Sequence, residues 1–366
     1  MIFEIQKETF LNLIQKSQSI VERRTAYPVL QNVKIDAVDG AIEITATDME
    51  VGLRDSAEAV IEKEGTITVS ARKLYEVLKE IGEGTVRFVL QENNWIRLTC
   101  GSSEFKLVGT QDDDFPRLLE VSDDALIEIK AELLDMLASK AVYAASTDPN
   151  KHVYRGVLFK STADAINMVA TDGHRLARIS TENTHGIPEM EILIPRKGIQ
   201  ELQRMVSMGS ETILFGTEQN HIVFKIDRQV TIARLIDAQF PDFEMVIPRE
   251  SAFNIRVDRT QFLDICRRVS LFSDIKTHTI MLTLENGAMQ VEGSTPEYGE
   301  AHDEMTVQYE GETVKLNFNV TYLLEMLRVF DCEEVFMRFN EGGPVIFEPV
   351  EKAEYDYMAL IMPMIV

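Results

Sequence analysis

Apolar and polar side chains alternate in three stretches, each opened by a turn: VDGAIEITATD ending at Asp48, ADAINMVATD ending at Asp172, and ENGAMQVEGST ending at Thr295. A period of two divides side chains between the two faces of a strand, so each stretch predicts one arm of a hairpin. The turns agree. Asp39-Gly40 and Asn286-Gly287 are dipeptides that accept the positive φ of a tight hairpin turn. Thr47, Thr171 and Thr295 stand 124 residues apart, which marks an internal repeat. A second echo, Asp114-Phe115-Pro116 against Phe240-Pro241-Asp242, sets its prolines 125 residues apart and predicts exits into linkers.

Helical periodicity recurs at the same interval. One set of helices is predicted over Lys7–Arg24, Lys130–Ser146 and Asp258–Ser273, and a second over Ser70–Ile81, Pro195–Met208 and Asn319–Phe330. Ser70 suits an N-cap and Pro195 a first helical turn. Runs rich in Val, Ile, Thr and Phe, such as Gly65–Val69, Thr85–Leu90, Trp95–Leu98, Thr212–Phe215 and Val314–Phe318, read as strands. The expected fold class is α+β, a unit of two helices and mostly antiparallel strands repeated threefold. Domain bounds of 1–121, 126–248 and 252–366 follow.

The 366 residues are long enough for several domains with their own cores. A formal charge of -23 rules out a polybasic coat, so any polyanion contact must be local. The six helical spans nevertheless hold 16 basic and 10 acidic residues. On a wheel of 100° per residue, Arg72 and Lys79 lie opposite Leu74, Val77 and Ile81, and Lys197 and Arg204 opposite Ile199, Leu202 and Val206. Any one exposed helix attracts Lys and Arg, but these faces recur in register. Repeated cationic helices on an acidic body suit duplex DNA held by its phosphates without base reading. The longest apolar run, Met358–Val366, is too short to span a bilayer and contains Pro363. No secretory signal opens the chain, and Cys100, Cys266 and Cys332 form no CxxC pair, so a reducing cytoplasm without a zinc site is expected.

Over its entire length the chain resembles the bacterial sliding clamp family, the beta subunit of DNA polymerase III. The matching motifs are Arg24 with Pro28-Val29-Leu30-Gln31-Asn32, Ala46-Thr47-Asp48, Ala71-Arg72-Lys73, Asp114-Phe115-Pro116, Ala170-Thr171-Asp172-Gly173-His174-Arg175-Leu176, Pro195-Arg196-Lys197-Gly198, Phe240-Pro241-Asp242 and Met362-Pro363-Met364. The resemblance implies three similar domains, a head-to-tail homodimeric ring and a non-catalytic tether for polymerases, with no cofactor or metal. It places DNA contacts at Arg24, Arg72, Lys73, Lys79, Arg196, Lys197 and Arg204. It places a pocket for short partner peptides, from the replicative polymerase, the clamp loader and other polymerases and repair proteins, at Tyr154, Thr171, Gly173, His174, Arg175, Leu176, Pro241, Met245, Val246, Pro344, Leu360, Met362, Pro363 and Met364. The dimer contact it implies involves Phe105, Leu107, Leu271 and Phe272, expected to be more apolar than ionic. Packing arithmetic favours two chains: at 8 to 10 Å between axes, six helices close a circle about 17 Å across, and twelve about 34 Å. Only the larger admits a duplex.

Two other classes fit the sequence less well. An enzyme could use Asp172 and His174 as a metal or general-base pair, but no third ligand, GxSxG, HExxH or phosphate loop accompanies them. A peptide-binding scaffold would explain the pocket and leave the recurring cationic helices without a use.

Overall fold

The computed structural model describes residues 1–22 and 25–364, apart from the side chain of Ala125. Among these residues are six α-helices: α1 (Lys7–Ser17), α2 (Ala71–Glu80), α3 (Ala131–Ala141), α4 (Arg196–Val206), α5 (Arg259–Val269) and α6 (Val320–Val329). Each third of the chain runs strand, helix, hairpin strands, helix, three strands, so the order of elements repeats as expected. All strand pairs are antiparallel.

Helix starts follow capping chemistry. Ser70 Oγ accepts the Lys73 amide at 3.3 Å, Asp258 the Gln261 amide at 2.7 Å and Asn319 the Thr321 amide at 2.9 Å. Pro195 sits differently from expectation: it ends the strand Met190–Pro195, opposite Gly156, and α4 begins one residue later. The long first helices are also shorter than their periodicity suggested. α1 stops at Ser17, while α3 and α5 pass into 3-10 turns at Val142–Ala144 and Ser270–Phe272. Both predicted hairpin dipeptides adopt the left-handed conformation, Asp39 and Gly40 at φ 49° and 75°, Asn286 and Gly287 at 50° and 82°.

Contacts gather the chain into two compact units that do not follow the repeat. The first contains residues 1–133 and 197–235. Its strands form one sheet of thirteen, in which Gln229–Arg234 pairs with Val51–Glu58 and so joins strands of the second repeat to the first. Phe3 stacks on Phe88 at 4.6 Å, with the Phe10 ring edge-on at 5.8 Å, anchoring α1 to its sheet. The second unit contains residues 134–196 and 236–366. There an eight-stranded sheet joins Arg175–Glu182 to Tyr355–Ile361, from Arg175 opposite Ile361 to Thr181 opposite Tyr355. A separate four-stranded sheet runs in the order Gly299–Thr306, Ala288–Thr295, Thr279–Glu285, Val314–Asn319.

Candidate functional site

The pocket expected from the sequence is built on a turn. Thr171 Oγ1 donates to the Arg175 carbonyl at 2.6 Å, and Asp172 Oδ1 accepts the His174 and Arg175 amides at 2.8 and 3.0 Å. Gly173 takes φ 90°, where a side chain is strained. The turn holds His174 outward and Arg175 inward. Arg175 is buried, and every arm of its guanidinium is engaged: Nε donates to Asp172 Oδ2 at 3.1 Å, one terminal nitrogen to Glu325 of α6, and the other to the Tyr143 carbonyl at 2.7 Å. Its central carbon lies 4.4 Å from the Tyr322 ring centre. Behind it, burial pushes the Tyr143 hydroxyl up to about 12 and Tyr357 well above its ordinary value, so both stay neutral and share a 3.0 Å hydrogen bond. Asp172 therefore serves the turn and its arginine, which leaves the Asp172/His174 pair no free carboxylate for base chemistry. Among the described residues no group of three or more His, Cys, Asp or Glu could hold a metal.

Around this turn a cavity of about 160 Å³ is lined by Tyr154, Thr171, Gly173, His174, Arg175, Leu176, Pro241, Val246, Leu360 and Met362, all expected from the sequence. Asp242 and Phe243 also line it. They adjoin the Phe240-Pro241 motif, and Asp242 caps the 3-10 turn Phe243–Val246 by accepting the Glu244 amide at 3.3 Å. The floor is a packed apolar cluster that includes Leu158, Val169, Leu176, Leu193, Ile346 and Leu360. Four expected residues lie off the cavity wall: Met245 is largely exposed, Pro344 and Pro363 are half-buried, and Met364 borders a neighbouring cavity. The sequence missed Glu325 and Tyr322 because they reach the site through Arg175, from α6.

The expected DNA contacts are not equivalent. On α2, Arg72 and Lys73 share Glu76 at 2.9 and 2.6 Å, with side chains 74% and 60% exposed, and Lys79 is exposed. These are open cations. Lys197, expected to be equally open, is only 24% exposed because its ammonium reaches buried Asp48 and donates to the Ile20 carbonyl at 2.8 Å. Arg204 is half-exposed and pairs with Glu201, a carboxylate buried under it that also accepts from Ser19 Oγ at 2.8 Å. Burial raises the Glu201 carboxyl above its ordinary value, with Ser19, Arg204 and Lys197 pulling the other way. Arg196 is half-buried, donating to the Ala145 carbonyl at 3.2 Å while its Nε finds no partner, and burial lowers its guanidinium. The side chain packs more than it projects. Arg24 lies outside the described residues.

The residues expected at the dimer contact also divide. Leu271 is 75% exposed and Phe272 half-buried. Phe105 is half-buried and Leu107, two residues on along the same face of the strand, is buried. Strand Ser103–Thr110 is bonded along one side to Trp95–Cys100, and on the other, among the described residues, only Val69 and Thr68 meet it, at Gly109 and Thr110. Gly299–Thr306 is an end strand of its sheet. Each presents an edge of unpaired main-chain groups.

Three models of the DNA polymerase III beta subunit match the chain: the N-terminal domain at residues 1–119, the central domain at 128–242 and the C-terminal domain at 244–365. The beta sliding clamp of Pseudomonas aeruginosa is 31% identical over 374 aligned positions covering all of both chains, and that of Chlamydia pneumoniae is 29% identical over 93% of each. Among solved structures, the sliding clamp of Pseudomonas aeruginosa bound to griselimycin superposes with a TM-score of 0.87 at 30% identity, both chains fully covered. The clamp of Bartonella birtlesii, also bound to griselimycin, gives 0.91 at 28%, again over all of both chains. With three domain models in register and full-length relatives, the chain belongs to the beta sliding clamp family, the beta subunit of DNA polymerase III.

Proposed function

We propose that two copies of this chain, each with clamp domains at 1–121, 126–248 and 252–366, close head to tail into a ring around duplex DNA and hold the replicative polymerase to it. The observation that carries this reading is the repeat: one order of elements three times, each third supplying two helices. Open cations at Arg72, Lys73, Lys79 and Arg204 touch phosphates, and Arg24 is assigned the same contact from its sequence motif. Arg196 and Lys197 add positive potential while holding α4 in place. No bond is made or broken; retention comes from topology, and sliding from phosphate contacts that are individually weak and interchangeable. The ring closes through the edges of Ser103–Thr110 and Gly299–Thr306, with Leu271 and Phe272 as apolar cover. Among the described residues no helix is long and apolar enough to cross a membrane, and the work proposed belongs to the cytoplasm.

The cavity beside Thr171–Leu176 receives a short apolar peptide of the polymerase, the clamp loader or another polymerase or repair protein. Its supporting feature is an apolar floor behind an exposed rim at Gly173 and His174, suited to sequence-tolerant docking. Two measurements test the whole. Native mass spectrometry is expected to give twice the 41.6 kDa chain mass, and clamp loaded on circular DNA is expected to stay through a high-salt wash and leave when the circle is cut. Equal retention on circles and on open linear DNA would remove the ring. For the pocket, overlapping fluorescein-labelled peptides of the polymerase are expected to include binders that Met362→Glu weakens tenfold or more in polarisation assays.

A further inference from the structure

The two seams that join the repeats are built alike and filled differently. In the second, the Met362 amide donates to the His174 carbonyl at 2.8 Å, and Leu176 stands opposite Leu360. In the first, the Arg234 amide donates to the Glu50 carbonyl at 2.9 Å, and Gly52 stands opposite Ile232. Glu50, Gly52, Ile232 and Arg234 are therefore the counterparts of four residues that line the partner cavity. The space above them is taken. A side chain on Gly52 would collide with Leu118 Cδ2, so Leu118 rests on bare backbone where the second seam carries the Leu176 side chain. Leu118, Leu119 and Val121 pack on the cluster of Leu126, Val223, Val230 and Ile232. One exposed acid holds the segment down: both Glu120 carboxylate oxygens accept from Arg54 Nη1 at 3.1 Å. In the second seam the equivalent position, two residues after the linker proline, is Phe243, which lines the cavity and leaves it open.

We propose that residues 118–120 are the chain's own ligand: they occupy the first repeat's copy of the partner pocket and so confine partner peptides to the second seam. The proposal rests on the pocket reading above. The segment itself defines the chemistry that the first seam accepts, which is a pair of leucines followed by an acid, with the apolar side chains near Ile232 and the carboxylate on Arg54. Because the linker is tethered at both ends, it meets the seam at a far higher effective concentration than any free peptide. Tethering keeps the site shut. Leu118 and Leu119 are half-buried, so removing their side chains frees the seam without opening the core beneath it.

The test uses the full chain carrying Met362→Glu, which the pocket reading expects to weaken the second seam, and a fluorescein-labelled peptide with the sequence of residues 115–121. Adding Leu118→Ser, Leu119→Ser and Glu120→Gln detaches the linker and is expected to tighten the labelled peptide about tenfold in polarisation assays, as burial of a leucine side chain would. Leu118→Ala alone keeps the Arg54 pair and is expected to give about threefold. That variant decides the matter if the triple variant melts below the assay temperature. Changing the peptide's glutamate to glutamine costs about threefold, as one exposed ion pair would. Changing both of its leucines to serine removes the gain. No gain in either linker variant, or an equal gain with the serine peptide, overturns the proposal while the pocket stands. If Met362→Glu by itself binds the polymerase peptides as tightly as the unaltered chain, the pocket reading falls instead.

Discussion

The turns at Thr47–Val51 and Thr171–Arg175 are one structure placed in two units. In each, a threonine hydroxyl donates to the carbonyl four residues on, at 3.0 and 2.6 Å, and an aspartate Oδ1 accepts two amides of the turn. The left-handed position is Met49 at φ 74° in the first and Gly173 at 90° in the second. The second carboxylate oxygen makes the difference. Asp48 receives Lys197 of α4, from 149 residues away, whereas Asp172 receives Arg175 of its own turn. The turn closed by its own arginine contributes Gly173 and His174 to the wall of a cavity. A turn closed from a distance becomes a fastening. The third repeat has no counterpart, since Pro296 follows Thr295.

Removing the local closure has the largest effect. Arg175→Ala strips Asp172 and Glu325 of their cation and is expected to cost about 3 to 5 kcal/mol in urea unfolding, with peptide binding lost. Retained stability and binding together would show that Arg175 is not the clamp of the turn. Lys197→Ala strands an Asp48 carboxylate that is 2% exposed and should cost about 3 kcal/mol; Asp48→Asn made with Lys197→Met restores most of it, because the amide oxygen still accepts from the turn. Peptide binding stays unchanged in both variants, which sharpens the division between the two turns.

Smaller effects lie beside the fastening. The Glu201 carboxyl is raised in the folded state by burial, so the folded chain holds that proton more tightly than the unfolded one. Its contribution therefore falls as pH rises from the ordinary carboxylate range toward the raised folded value. Glu201→Gln is expected to remove that slope and to leave the melting temperature at pH 7 equal or higher; a drop at pH 7 would mean the pair with Arg204 outweighs burial. Least of all, Met49→Gly relieves a left-handed side-chain position and should gain no more than about 1 kcal/mol, offset in part by glycine's freedom when unfolded.

Much of this fold was legible because its signals are local. Asp39-Gly40 and Asn286-Gly287 dictate their turns, Ser70 caps its helix, and the spacing of the threonine motifs gives the repeat. Ten of the pocket's residues came from the family resemblance, most of them in or beside the motifs at 170–176, 240–242 and 362–364. What the wheel could not give is which polar face is covered. It sets Glu201 beside Lys197 and Arg204 on the side away from Ile199, yet chain beyond α1 brings Ser19 and the Ile20 carbonyl to that side and buries the acid. Arg175 misleads in the same way, since a charged residue on a strand reads as surface until its partners on distant elements are known. α1 looked longer because its polar tail keeps a helical composition after the backbone turns at Gln18.

The joins between repeats have a consequence for how such a chain can change over generations. Val230 to Ala233 meet Arg54 to Val51, and Arg175 to Thr181 meet Ile361 to Tyr355, through main-chain groups that every residue but proline carries. Lineages can thus redraft the side chains on either strand and still inherit the seam. Whole-repeat exchange between relatives is the harder experiment, because the cut must respect a bonded partner in the neighbouring repeat.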